Sequence, residues 1–290
     1  GNKLQLARCI DPACTVKKVI DVDLHDGGAL TEVARTSVGV SSTNIPFVAY
    51  VMGNDLRVAY CTDPNCGTVK TRTIAQSVGL NVFNRIALAM PPDDKPVISY
   101  YENGAVNVRV YKCTDTTCST GSASIIASGA DGFYNSIAVI NDGTTAGKPI
   151  AVFIKSSAGD MFIVKCTDAS GTCSTSSSYL IKSLGFNSGG ETALVVDNIS
   201  ASKTVFLAHR NSANKLFITN CGSGLVAQPC LPYTEKEVAD DSASSISLSV
   251  TADGLPVVSY ASTGNRIYVV RCDDAQCNTF RKTDVTPSGQ

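Results

Sequence analysis

Twelve cysteines divide into six pairs along the chain: Cys9 and Cys14, Cys61 and Cys66, Cys113 and Cys118, Cys166 and Cys173, Cys221 and Cys230, Cys272 and Cys277. Two chemistries are open to such pairs, thiolate ligation of a metal or oxidation to a disulfide. Structural zinc sites gather four ligands, mostly two to four residues apart within a pair. These pairs enclose four, six or eight residues and lie one by one along the chain. A short hairpin loop, by contrast, brings its two feet to the roughly 5.5 Å Cα separation that a disulfide needs. The spacing therefore predicts six local disulfides and an oxidising compartment. Closing so small a ring contributes about 2 kcal/mol in the chain-entropy model, so the bridges staple hairpins rather than create the fold. Asp11, Asp63, Asp115, Asp168 and Asp274 each follow the first cysteine by two residues, where a short carboxylate accepts hydrogen bonds from turn N–H groups. The fifth loop, Cys221-Gly222-Ser223, lacks that aspartate.

Other candidate chemistry is sparser. Asp21, Asp23 and His25 alternate on a polar stretch and would share one side of a strand, a candidate cation site and the sole cofactor expectation. A solvated edge strand accounts for them as well. Three aromatic-asparagine pairs, Phe83-Asn84, Tyr134-Asn135 and Phe186-Asn187, fall between repeating units. An aromatic face beside an amide suits a sugar, and it equally suits packing with Asn bonding a turn. Tyr50, Tyr100, Phe153, His209 and Tyr260 recur at one position, which points to packing, with the odd member His209 set apart as a candidate ligand contact. No catalytic residue is assigned. The chain has two histidines, no G-x-S-x-G and no H-E-x-x-H, and its adjacent acids, Asp93-Asp94 and Asp240-Asp241, fall in polar turns. Asn198-Ile199-Ser200 fits the glycosylation sequon.

The elements that must position these residues follow from periodicity. Successive first cysteines lie 52, 52, 53, 55 and 51 residues apart, the signature of a propeller, solenoid or array. Within each unit, Ile86-Ala87-Leu88-Ala89-Met90 and Ile246-Ser247-Leu248-Ser249-Val250 alternate large with small residues, a strand crowded near an axis. A nearly all-apolar second strand follows, such as Pro96 to Tyr100, buried on both faces. The third strand carries the first cysteine, and a polar fourth, with Lys70, Arg72, Arg281 and Lys282, forms a guarded outer edge. The expected fold is all-β, a single β-propeller over 1–290 of about six four-stranded antiparallel blades, with repeats near 1–28, 29–80, 81–131, 132–186, 187–240 and 241–290. Third and fourth strands occur six times but first and second only five, giving twenty-two strands and an incomplete first blade. Either about 20 to 30 residues precede Gly1, or a neighbouring chain completes the blade by strand addition.

With 24 basic and 25 acidic residues the chain lacks the electrostatic footprint of a nucleic-acid binder, and no apolar run reaches the length of a membrane span. Gly254-Leu255-Pro256-Val257-Val258-Ser259-Tyr260, Lys95-Pro96-Val97-Ile98-Ser99-Tyr100-Tyr101 and Cys61-Thr62-Asp63-Pro64-Asn65-Cys66 resemble tandem repeats of secreted bacterial propellers in large surface proteins. The Asp-box of sialidase-type propellers ends in Trp, which this chain lacks; Asp253-Gly254 and Asp142-Gly143 match only its turn. The resemblance implies a non-enzymatic extracellular propeller for cell-surface attachment, ligand or glycan binding, or surface assembly. Its partners would be an extracellular glycan, a surface protein or copies of itself, with no nucleic acid and no membrane insertion. A carbohydrate-active hydrolase or lyase with acids around a central channel is the alternative from a different class. A structural subunit completed by its neighbour is a third. Reduction of the protein should add about 12 Da to its intact mass, two hydrogens for each of six bridges, and a smaller gain would remove bridges from the count.

Overall fold

A computed structural model describes residues 3–11, 15–24, 36–78, 86–129, 132–155, 159–184, 191–241 and 243–286. The twenty-two strands found among them are those expected from the repeat. β1 (Lys3–Cys9) and β2 (Lys17–Leu24) form a two-stranded half-blade. Five four-stranded antiparallel meanders follow. They are β3 (Thr36–Val40), β4 (Pro46–Met52), β5 (Asp55–Cys61) and β6 (Val69–Ala75); β7 (Ala87–Ala89), β8 (Val97–Glu102), β9 (Asn107–Cys113) and β10 (Gly121–Ser128); β11 (Gly132–Ile140), β12 (Lys148–Lys155), β13 (Asp160–Cys166) and β14 (Ser176–Ser183); β15 (Thr192–Val196), β16 (Thr204–Arg210), β17 (Leu216–Ser223) and β18 (Thr234–Ala239); and β19 (Ser244–Val250), β20 (Pro256–Ser262), β21 (Arg266–Cys272) and β22 (Phe280–Asp284). The chain is a β-propeller.

Burial grades outward as the composition requires. Every residue of β4 is buried, while β6 exposes Lys70, Thr71, Arg72 and Thr73. The core lies in the seams between blades. Leu88 of β7 and Ile86 just before it pack with Val51, Leu56 and Val58 of the preceding blade. Leu194 and Val196 do the same against Ile150, Val152 and Ile163. Small residues on the opposite side of β3, Ser37 and Gly39, make room for this. A Cβ added to Gly39 would stand 2.3 Å from Leu88 Cδ2 and 2.9 Å from Met90 Cγ.

Five described bridges close within single hairpins, Cys61–Cys66, Cys113–Cys118, Cys166–Cys173, Cys221–Cys230 and Cys272–Cys277, with Cα separations of 4.8, 4.8, 4.7, 3.8 and 4.8 Å. Cys9 is also disulfide-bonded, and Cys14 lies outside the described residues. The second cysteine of each described bridge is left-handed, with φ between 53° and 71°, a conformation few non-glycine residues adopt. The loop aspartates hold that turn. Asp63 accepts from the N–H groups of Asn65 and Gly67 at 2.8 and 3.0 Å, and Asp115, Asp168 and Asp274 repeat the pattern. Burial pushes the Asp115 carboxyl up, but hydrogen bonds from Ser119 and Thr117 outweigh it and hold the group well below the usual carboxylate range. In the loop without an aspartate, Asn220 Oδ1 accepts from Gly222 N at 2.8 Å.

One element departs from expectation. Tyr134-Asn135, expected in a connection between blades, lies inside β11 because that strand starts at Gly132. Tyr134 has φ 55° and the β11–β12 register shifts between Phe133 and Ser136, so a bulge turns these residues inward.

Gly39→Val should destabilise the fold by about 1–3 kcal/mol through overpacking against Leu88 and Met90, read as a lower urea midpoint with unchanged m-value. An unchanged midpoint would show that the seam has slack there.

Candidate functional site

A blade's second strand runs antiparallel to its first, so it ends at the face where the connection from the preceding blade arrives. Tyr50, Tyr100, Phe153, His209 and Tyr260 all lie near that end. Each pairs across the sheet with a third-strand residue four places before the first cysteine: Arg57, Arg109, Phe162, Phe217 and Tyr268. The apolar version occurs once, where Phe153 stacks on Phe162 with centroids 5.7 Å apart. The other four positions each bring a carboxylate and a cation to the ring.

In the first complete blade, Tyr50 donates its hydroxyl to Asp23 Oδ2 at 2.6 Å and Arg57 Nη1 reaches the same oxygen at 3.3 Å. Burial, reinforced by Asp23, pushes the Tyr50 hydroxyl far above its ordinary value. In the next blade, Arg109 Nε donates to Glu102 Oε2 at 2.7 Å beside Tyr100, whose hydroxyl burial pushes up to about 12. In the last blade, Tyr260 stacks on Tyr268 at 5.5 Å and donates to Asp241 Oδ1 at 2.9 Å. Lys282 Nζ donates to Asp241 Oδ2 at 2.8 Å and lies 4.3 Å from the Tyr268 ring centroid. Burial pulls the Asp241 carboxyl up, and the Lys282 and Tyr260 hydrogen bonds outweigh it, holding the group below its ordinary range.

The blade with His209 replaces the tyrosine by an imidazole. The imidazole is fully buried, stacks on Phe217 at 5.5 Å, and has Nε2 3.1 Å from Glu235 Oε1. Lys182, from the preceding blade, donates to Glu235 Oε2 at 2.5 Å and lies 5.2 Å above the Phe217 ring. Burial drives the His209 pKa down, leaving a neutral ring at pH 7. Burial raises Glu235, but its contacts with His209 and Lys182 prevail and bring it to about 2. Arg57, Lys182 and Lys282 each keep 31% of the side chain exposed, so these seams open to solvent on their charged side.

Asp23, read from sequence as a candidate metal ligand, is engaged by Tyr50 and Arg57, while Asp21 accepts from Gln5 Nε2 at 2.9 Å. Their presumed companion His25 lies outside the described residues, and among those described no three metal-ligating side chains cluster. Phe83, Asn84, Phe186 and Asn187 also lie outside them. Tyr134 and Asn135 are buried at the inner end of the seam. Asn135 Oδ1 accepts from Ser99 Oγ at 2.6 Å, and the Tyr134 carbonyl from Thr192 Oγ1 at 2.5 Å. Glu235, Lys182 and Tyr268 escaped sequence reasoning, and Asp241 and Lys282 entered it only as a turn acid and an outer-edge charge. The one detectable signal, which bears on Tyr268, is the recurrence of an aromatic or arginine four residues before the first cysteine in the five complete blades.

The inner strands enclose a central channel of about 340 Å³, lined by Ser37, Asn135, Ser136, Thr192, Ser247 and neighbouring apolar residues. Among the described residues no carboxylate lines it.

No family model matches this chain, and no curated protein does. Solved structures do. The SapL1 lectin in complex with α-methyl fucoside superposes with a TM-score of 0.64 at 8% identity, over 88% of this chain and 80% of that one. Aleuria aurantia lectin, a six-bladed propeller with a fucose recognition mode of its own, gives 0.59 at 13% identity over 90% and 82%. An ulvan lyase gives 0.57 at 12% identity over 88% and 74%. At such identities the likeness is one of fold: a propeller of four-stranded antiparallel blades.

His209 supplies a pH test. The unfolded chain binds a proton near the ordinary histidine pKa of about 6.5, which the native imidazole resists, so native stability falls as pH drops through that value. His209→Tyr, which places there the residue of the other three charged seams, should flatten the slope of Tm between about pH 7 and pH 5.5. An unaltered slope would assign the titration elsewhere.

Proposed function

We propose that this chain is a non-enzymatic extracellular carbohydrate-binding propeller, acting in attachment to a glycan-bearing surface. The observation that carries this reading is the fourfold recurrence, at one end of the molecule, of an aromatic ring with a carboxylate and a half-exposed cation. Aromatic faces take the apolar side of a sugar ring, while paired charges donate to and accept from its hydroxyls. The last-blade seam of Tyr260, Tyr268, Asp241 and Lys282 is the most open of the four and is the primary site. His209 forms the floor of a second seam beneath Phe217, Glu235 and Lys182. The pairs Phe83-Asn84 and Phe186-Asn187 fall between blades in sequence and would add contacts at the rim. Lectins among the structural neighbours support this reading. The disulfides point to an oxidising environment, and secretion to a cell surface is part of the proposal.

The lyase alternative has a structural neighbour too, but the central channel offers it no described acid. Screening the oxidised protein on a glycan array should reveal binding without turnover of the bound sugars. For the best ligand, Tyr268→Ala and Lys282→Ala should each weaken the affinity by about tenfold or more, the loss expected for one ring or one charged hydrogen bond. Affinity that survives both substitutions would move the site off this seam, and cleavage of an arrayed glycan would replace the binding reading with an enzymatic one.

A further inference from the structure

The repeat allows each seam to be compared with its equivalents. Leu88, Val139 and Leu194 project from their inner strands toward the preceding blade and are only 8%, 6% and 6% exposed. Their counterparts in the first complete blade, Val38 and Val40, are 58% and 52% exposed. Gly39 between them faces Leu88 of the following blade, so both valines point the other way, toward the half-blade. That half-blade covers only the outer part of the seam, where Val22 packs with Val48, Tyr50 and Met52. Its position is set by Arg8 Nη1 donating to Asn65 Oδ1 at 2.8 Å and Lys18 Nζ to the Asn65 carbonyl at 2.9 Å. β1 pairs with β2 alone among the described residues, so its inner edge presents an unpaired ladder.

The opposite wall shows the same deficit. β4 is buried on both faces, whereas in β20 only Pro256, Val258 and Tyr260 are buried; Val257, Ser259 and Ala261, on the other face, are not, and Ile267 beside them is 43% exposed. A wedge thus lies between the last blade and β3, bounded by two apolar walls and an open strand edge.

We propose that this wedge is the docking site for one β-hairpin of the repeat's own inner type. Its second strand, nearly all apolar, pairs with β1; its first, alternating branched and small residues, places the small ones against Val38 and Val40. Main-chain pairing supplies affinity and the two walls supply specificity. A second copy of this chain has no such hairpin to lend, because each inner hairpin found among the described residues is already paired within its own blade. The occupant is then an inner hairpin that no described blade of this chain supplies.

The test fuses a copy of residues 36–52 directly ahead of Gly1, so that Gly1-Asn2 takes the place that Gly53-Asn54 occupies after β4. The proposal predicts a Tm raised by at least about 5 °C, β1 amides newly protected from hydrogen exchange, and loss of apolar-dye fluorescence. A fused hairpin that leaves Tm and β1 exchange unchanged and stays open to protease overturns it. Should the fusion fail to fold, the same hairpin is added as a free synthetic peptide to the 1–290 chain. Saturable binding that Val38→Asp in the chain abolishes supports the proposal, and absence of binding overturns it. A 1–290 chain that sediments as a dimer, and as a monomer with Val38→Asp, also overturns it by making the wedge a self-interface.

Discussion

The structure depends on complementary packing at the seams, and its simplest rule sets a large apolar side chain on one inner strand against a small residue on the strand before. Gly39 opposite Leu88 states the rule most sharply, since even a methyl group at Gly39 would collide. Such fits let blades approach the axis closely, and the burial that results is fullest one strand farther out, where every residue of β4 is buried. Everything farther out inherits the geometry. The second strands can be wholly apolar because a blade lies on each side, and the fourth can be polar because none does.

The candidate sites are a by-product of the same stacking. Blades diverge from the axis like spokes, so a seam that is tight at the inner strands widens toward the rim. At the widening point the chain places Tyr or His with a charged pair, and the buried ring seals the core while the ions meet solvent. The Phe153 and Phe162 pair shows that an apolar seal suffices for packing alone. The charges at the other four seams therefore add something that stability does not require.

Much of this was legible in the residues. The cysteine period gave the blade count, and alternation in Ile86 to Met90 against the apolar run of Pro96 to Tyr100 separated inner from second strands. The half-blade followed from counting. Two of the ionic clusters were illegible because their members come from different blades: Asp23 meets Tyr50 and Arg57 of the next blade, and Lys182 and Glu235 are 53 residues apart in sequence yet share a hydrogen bond. No local pattern encodes a pairing that exists only after blades stack. Tyr134-Asn135 misled for a related reason, since the bulge in β11 brings them to Ser99 on β8 of the preceding blade and Thr192 on inner strand β15 of the next.

The disulfides carry a consequence for assembly. Each described bridge joins residues five to nine apart, and none links two blades. As the chain is synthesised, each thiol has its correct partner within one turn, while a wrong partner waits until another whole unit has emerged. Oxidation can thus be completed unit by unit, ahead of the long-range contacts that shape the ring and are slow to form. The covalent cross-links and the circular topology are independent of each other. Units can be added, exchanged or opened out during evolution without any cysteine changing partner.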